Sequence, residues 1–241
     1  MLDFIKMNFT RVTFYIVFAL AIVLAGDTSA QLQKVTGKAD YPFWLYLPAD
    51  SILKSNPPVV IFLHGRSLSG TDLNRVKRYG VINEIERGRD LPAIVVAPQV
   101  KSGQFWDPKR VLSILDYIQK NYKTDTSRVY VLGMSLGGSG TFHFAGAYPE
   151  RVTAGVAIAG RGNLKDACNL SKVNLWVMHG KKDYDVPLIN STNIVDAIKK
   201  CKGDAELKFT VYPEHNHSTI ERVFHKDEIY EWLFKQRKNY K

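Results

Sequence analysis

Cysteine is scarce: Cys168 and Cys201 are the only two in 241 residues. Their spacing fits no metal-binding motif, so no metal site is expected from them. No Gly-Lys-Ser/Thr follows a glycine-rich turn, which excludes a phosphate loop. There is no repeat period and no low-complexity tract, which argues against solenoids and disordered polymers. No apolar run approaches the roughly 20 residues of a comfortable membrane span. Acidic residues are in the minority, 23 against 33 Lys and Arg, for a net charge of +10. The excess gathers in "RVKR" (75–78) and in the tail "KQRKNYK" (235–241). These read as solvated helix faces, with attraction to anionic polymers or membrane surfaces as the alternative. Aromatic residues are not interleaved with these charges as in a nucleic-acid groove, so no nucleic-acid partner is expected.

What is present starts with a leader. Lys6 and Arg11 precede the apolar stretch "FYIVFALAIVLAG" (14–26), and "DTSA" follows, ending at Ala30. A basic start, an apolar centre and small residues at the end make a secretory signal peptide, cleaved near Gln31. An uncleaved anchor is the alternative. The expectation is a secreted or periplasmic protein with no stable membrane anchor after cleavage. Residues 31–241 are expected to form a single domain. In an exported protein a Cys168–Cys201 disulfide is permissible, with two buried thiols as the other outcome.

Seven apolar runs read as strands: 43–48, 58–65, 93–99, 128–135, 154–160, 174–180 and 206–214. Most are nearly continuous in Val, Ile, Leu and Ala, as in strands covered on both faces. Helical patterns alternate with them, at 71–88, 107–122, 187–201 and 218–237. Asp107 is placed to cap the second of these, and Pro108 sits in its first turn. Such alternation predicts an α/β fold: a doubly wound, mostly parallel sheet with helices on both faces. The segments between strands are too short for a large cap domain. Ligands of such sheets bind outside the carboxyl ends of the strands.

One strand end stands out. "RVYVLGMSLGGSGT" (128–141) carries G-x-S-x-G between an apolar strand and a helical pattern. A serine there sits on a sharp turn with its hydroxyl pushed out above the sheet. The following helix aims free N–H groups at the same spot. A serine hydroxyl is a weak nucleophile and needs a base, which in turn needs an orienting acid. In this motif the chain order is Ser, then Asp, then His. "HGKKDYDVP" (179–187) offers Asp183 and Asp185 after the penultimate strand. "YPEHNHS" (212–218) offers His215 and His217 after the last. The residues alone leave both pairs open.

Four blocks in order, "FLHGRSLSGTD", "TDTSRVYVLGMSLGGSGT", "HGKKDYDVP" and "HSTIERVF" leading to "YEWLFKQ", resemble a known group. They look like the α/β-hydrolases of the soluble esterase, dienelactone-hydrolase and prolyl-oligopeptidase-like kind. The resemblance runs from Val59 to the C-terminus. It departs at "HGRSLSG", where many relatives carry a smaller, Gly-rich or acidic segment. That segment bears on the acyl pocket.

The resemblance implies Ser135 as nucleophile, Asp183 rather than Asp185, and His217 rather than His215. His64 and His179 fall in strand-end "HG" turns and read as structural. The backbone N–H groups of Leu136 and Arg66 are the expected oxyanion donors. In the loop "SGQFWDP" (102–108), Gln104, Phe105 and Trp106 are candidate substrate contacts, the two rings by stacking. Covering the core is the alternative for the aromatics. The implied reaction is hydrolysis of carboxylic esters through an acyl-enzyme, with no metal or organic cofactor. The implied partner is a small or polysaccharide-linked ester, acetyl or feruloyl groups being one class. A prolyl-oligopeptidase-like peptidase and a non-catalytic pseudo-hydrolase are the alternatives.

Overall fold

The computed structural model describes residues 29–238. All but the end of the leader expected at 1–30 lies outside the described residues. Eight strands form one sheet: β1 (Gln31–Val35), β2 (Phe43–Leu47), β3 (Val59–Leu63), β4 (Ile94–Pro98), β5 (Val129–Met134), β6 (Ala154–Ile158), β7 (Asn174–Gly180) and β8 (Leu207–Tyr212). Their spatial order is β1-β2-β4-β3-β5-β6-β7-β8. The β1–β2 and β2–β4 pairs are antiparallel, and every other pair is parallel.

The helices are α1 (Asp50–Leu53), α2 (Val81–Glu86), α3 (Pro108–Asn121), α4 (Leu136–Ala147), α5 (Ala167–Leu170), α6 (Ile189–Lys199) and α7 (Asp227–Lys235). The central strands are buried on both sides because alternate residues point to opposite faces. Val59, Ile61 and Leu63 pack with Val111, Ile114 and Leu115 of α3, Phe142 of α4 and Ile194 of α6. Val60 and Phe62 pack on the other face with Ile82 of α2 and with Ile229 and Leu233 of α7. This two-sided cover explains why the strands read as unbroken apolar runs.

Three expectations change. Gln31–Val35 is a strand that the sequence reading missed. It lies at the sheet edge, mostly exposed, and its "QLQKV" has no buried face to impose an apolar pattern. The helix expected at 71–88 is broken into a 3-10 segment, Leu73–Arg78, and α2. The break is Gly80, at φ 82°, where a Cβ would lie 2.0 Å from the Phe62 ring. The helix expected at 218–237 is likewise a 3-10 turn, Ile220–His225, followed by α7. Cys168 and Cys201 are joined in a disulfide, which ties α5 to the chain just past α6. Among the described residues, no helix is long and apolar enough to cross a membrane.

The sheet reverses direction at its middle. From β3 the chain steps one way to β4, then back past β3 to β5. The carboxyl ends of β3 and β5 therefore flank the switch point, where a crevice opens between oppositely wound connections. Leu63 and Gly133 are register partners there.

Candidate active site

Ser135 follows β5 at φ 59°, ψ −117°, a conformation that non-glycine residues rarely adopt. The turn is held by the Ser135 N–H, which donates to Ile158 O at 2.8 Å. Close backbone approach makes it sharp. A Cβ on Gly133 would lie 2.5 Å from the carbonyl oxygens of both Gly137 and Leu63. The strain is of the kind concentrated at functional sites. Its consequence is a hydroxyl standing above the sheet at the start of α4.

His217 reaches that hydroxyl from the loop after β8. Its Nε2 is 2.9 Å from Ser135 Oγ, and its Nδ1 is 2.7 Å from Asp183 Oδ2. With Nδ1 carrying the proton, Nε2 is free to accept from the serine. Asp183 follows β7, and its side chain is fully buried. Its Oδ1 accepts the Val186 N–H at 2.8 Å and the Asp185 N–H at 3.1 Å. Donors thus occupy both carboxylate oxygens.

The structure separates the ambiguous pairs. Asp185 is exposed at the cleft wall, while Asp183 meets the imidazole. His215 turns away, its Nδ1 3.2 Å from Thr219 Oγ1. Ligand atoms of Asp183, Asp185 and His217 lie within 4.8 Å of one another, the one such grouping among the described residues. The N–H donors already aimed at Asp183 make it a hydrogen-bond acceptor rather than a ready cation ligand.

His64 and His179 are both fully buried. His64 Nδ1 lies 2.7 Å from Gly65 O, and its Nε2 accepts the Val100 N–H at 3.2 Å. Burial lowers its pKa to about 4, so the ring is neutral. His179 lies 2.7 Å from Ser191 Oγ and 2.8 Å from Val186 O, and burial lowers its pKa too. Its Nε2 is also 3.4 Å from Asp183 Oδ2, so it braces the loop that holds that carboxylate.

Two first-turn residues line the cleft beside Ser135. Leu136 opens α4, and Arg66 opens a 3-10 turn, Arg66–Leu68, directly after β3. First-turn N–H groups have no partner within their own helix. Among the described residues neither has a side-chain cap or another backbone partner. The Gly65 N–H beside them donates to Tyr79 Oη at 2.8 Å. The Gln99 amide holds the far side of this loop through Leu68 O and Asp72 O, both at 2.8 Å.

These groups open into a cleft of about 1010 Å³. Phe105 lines it and is 66% exposed. Trp106 corrects the sequence reading: it is buried, its Nε1 donates to His64 O at 3.1 Å, and its ring lies under Gly140 of α4. It covers the core and offers no face to a ligand. Gln104 is exposed but is not part of the cleft lining. The lining also includes Arg78, Tyr79, Ser139, Arg161, Val186 and Glu221, which the sequence reading did not single out. Arg161 lies three residues past the end of β6, so the strand-end rule alone would have flagged it.

A parallel sheet reversed at its centre, with a strained serine at the reversal, an imidazole on its hydroxyl and a buried carboxylate behind, is the architecture of an α/β-hydrolase. The model of the dienelactone hydrolase family matches residues 96–228, more than half of the chain. The chain belongs to that family. Among curated proteins it is 31% identical over 157 residues to feruloyl esterase B of Thermothelomyces thermophilus, covering 58% of this chain and 52% of that protein. It is 28% identical over 176 residues to acetylxylan esterase A of Emericella nidulans, covering 65% and 55%. The chain thus spans about half the length of these relatives. A solved thermostable esterase superposes with a TM-score of 0.71 at 25% identity, covering 86% of this chain and 63% of that one.

Proposed function

We propose that the chain is an exported serine hydrolase that cleaves carboxylic esters. The observation that carries this reading is the continuous line from Ser135 Oγ through His217 to Asp183, at 2.9 and 2.7 Å, beside two unpaired N–H groups. In the first step Ser135 Oγ attacks the carbonyl carbon while its proton passes to His217 Nε2. Asp183 holds the imidazole orientation and stabilises the imidazolium. The negative oxygen is stabilised by the N–H groups of Leu136 and Arg66, each worth about 3–4 kcal/mol. The proton on Nε2 then goes to the leaving alcohol as the ester C–O bond breaks. Water attacks the acyl-serine by the same route and returns the free enzyme and an acid.

The names of the relatives, feruloyl and acetylxylan esterases, support small acyl or aryl esters linked to polysaccharide as the substrate class. Phe105 at the cleft is the ring placed to stack on an aryl acyl group or a sugar. Export rests on the leader at 1–30, and the disulfide is compatible with it.

The test is hydrolysis of para-nitrophenyl acetate and of methyl ferulate by the purified protein, with a fluorophosphonate probe in parallel. Turnover and labelling, both lost in Ser135→Ala, are the expected result. A wild-type protein that neither labels nor hydrolyses any ester would show that the arrangement is not catalytic.

A further inference from the structure

The turn after β3 is held from several sides. His64 Nε2 accepts the Val100 N–H, so Nδ1 carries the proton and donates to Gly65 O at 2.7 Å. Gly65 O also accepts the Leu68 N–H, and Arg66 O accepts the Ser69 N–H, both at 3.1 Å. Ser67 O accepts from the Arg75 guanidinium and Leu68 O from the Gln99 amide, both at 2.8 Å. One hold is of another kind. The Gly65 N–H goes to a side chain, the Tyr79 hydroxyl, at 2.8 Å. Among the described residues no other side chain accepts an N–H of residues 65–69.

Tyr79 is itself fixed from behind. It is extended, at φ −157°, ψ 173°, between the 3-10 segment Leu73–Arg78 and Gly80. Its ring meets Phe62 of β3 edge-on, with centroids 6.4 Å apart, and Phe62 meets Phe224 in the same way at 5.4 Å. Burial raises the pKa of the hydroxyl, so the group stays neutral. Its oxygen presses close to the backbone at Gly65. A Cβ there would lie 2.5 Å from Tyr79 Oη and 3.3 Å from Ser135 Cβ. The tyrosine oxygen and the nucleophile's own side chain therefore stand against the same glycine.

Gly65 is also the residue directly before the Arg66 N–H, and glycine has the widest backbone freedom. The peptide that carries the Arg66 N–H is held by its carbonyl, through His64 and Leu68. The peptide before it is held by Tyr79. We infer that Tyr79 is a positioning residue: by fixing the Gly65 N–H it sets the direction of the Arg66 N–H towards the carbonyl oxygen under attack. This rests on the esterase reading and deepens it. Such donors work because they are aimed before the charge develops, and a displacement of about 1 Å is costly. Without the hydroxyl, the Gly65 N–H loses its partner and the turn must shift to find another.

Tyr79→Phe keeps the ring on Phe62 and removes only the oxygen. The variant is compared with wild type on para-nitrophenyl acetate and on its thiono counterpart, in which sulfur replaces the carbonyl oxygen. Sulfur is larger and a weaker acceptor, so well-aimed N–H groups favour the oxygen ester. In Tyr79→Phe, kcat for the oxygen ester should fall by about tenfold, with KM within roughly twofold of wild type. The oxygen-over-sulfur ratio of kcat/KM should fall by about the same factor. This ratio is taken within each protein, so a variant that folds less completely leaves it readable, and a general loss of stability does not move it. The amide resonance of Arg66 in a proton–nitrogen correlation spectrum should shift in the variant. If the ratio is unchanged while wild type hydrolyses the oxygen ester, Tyr79 does not position the donor and the esterase reading stands. If the ratio falls but the Arg66 resonance stays in place, Tyr79 acts directly on the substrate and positioning is overturned. If wild type hydrolyses neither ester, the esterase reading fails and this inference fails with it.

Discussion

Gly137, in the first turn of α4, lies so close to the end of β3 that a Cβ on it would stand 1.7 Å from the Leu63 carbonyl oxygen. Neither side of that contact can yield, because Leu63 is inside the sheet and Gly137 is inside the helix. The serine turn therefore keeps its shape only with glycine there. Gly137→Ala is expected to destabilise the protein by about 3 kcal/mol, the upper end of what forced overpacking typically costs. Urea unfolding of the variant beside wild type measures this.

Asp183→Asn tests orientation rather than charge alone. The amide can keep its oxygen on the Val186 and Asp185 N–H groups, which turns its NH2 towards His217. The imidazole must then accept at Nδ1 and carry its proton on Nε2, where the serine needs an acceptor. We expect kcat to fall roughly ten-thousand-fold with the fold intact. Steady-state kinetics and a circular dichroism melt, taken together, separate this from misfolding.

Stability should fall on mild acidification. His64 has a folded pKa of about 4 against 6.5 when unfolded. Between those values the unfolded chain binds the extra proton, so stability rises with pH across the window. The contribution is fully present above 6.5 and is lost as pH falls towards 4. It amounts to about 3 kcal/mol by proton linkage. His179, also shifted down by burial, acts in the same direction. Denaturation midpoints from pH 7 to 4 should show the slope, and His64→Gln should flatten it.

Two neighbouring aromatics should behave oppositely. Trp106→Ala removes a buried ring that contacts His64 and underlies α4, and should cost about 3–5 kcal/mol. Phe105→Ala removes an exposed ring and should leave the melting temperature within about a degree of wild type. Its effect should appear in KM for aryl esters instead.

The disulfide between Cys168 and Cys201 closes a loop with a sequence separation of 33. Replacing both cysteines by serine should lower unfolding free energy by about 2–4 kcal/mol. Activity at room temperature should persist, since α5 and α6 carry none of Ser135, Asp183 or His217. Denaturation of the double variant against oxidised wild type checks the first expectation, and ester hydrolysis the second.

The central strands and the serine turn were legible because burial on both faces and close backbone approach leave direct marks in sequence: long apolar runs and obligatory glycines. β1 left no such mark, being polar on an exposed edge. The break at Gly80 lay hidden inside the helical pattern expected at 71–88, because the Phe62 ring it must avoid is distant in sequence. Trp106 and Phe105 are adjacent, yet only the path of the chain shows which one turns inward. Arg78 and Tyr79 reach the cleft from the β3–β4 connection and Arg161 from the β6–β7 connection, so no local pattern groups them with Ser135. The choice of Asp183 and His217 came from resemblance to a family, since Asp185 and His215 satisfy the same order and spacing.

Ser135 and the base that faces it have very different supports. Ser135 rises from β5, flanked by β3 and β6 in the middle of the sheet, whereas His217 hangs from β8, which pairs with β7 alone and is half exposed along its length. Such margins open at lower free energy than the interior. Fraying of this one strand would withdraw the proton acceptor while leaving the nucleophile and the remaining strands in register. On the proposed reading, activity is therefore expected to fail first at the rim of the molecule, before the sheet itself melts.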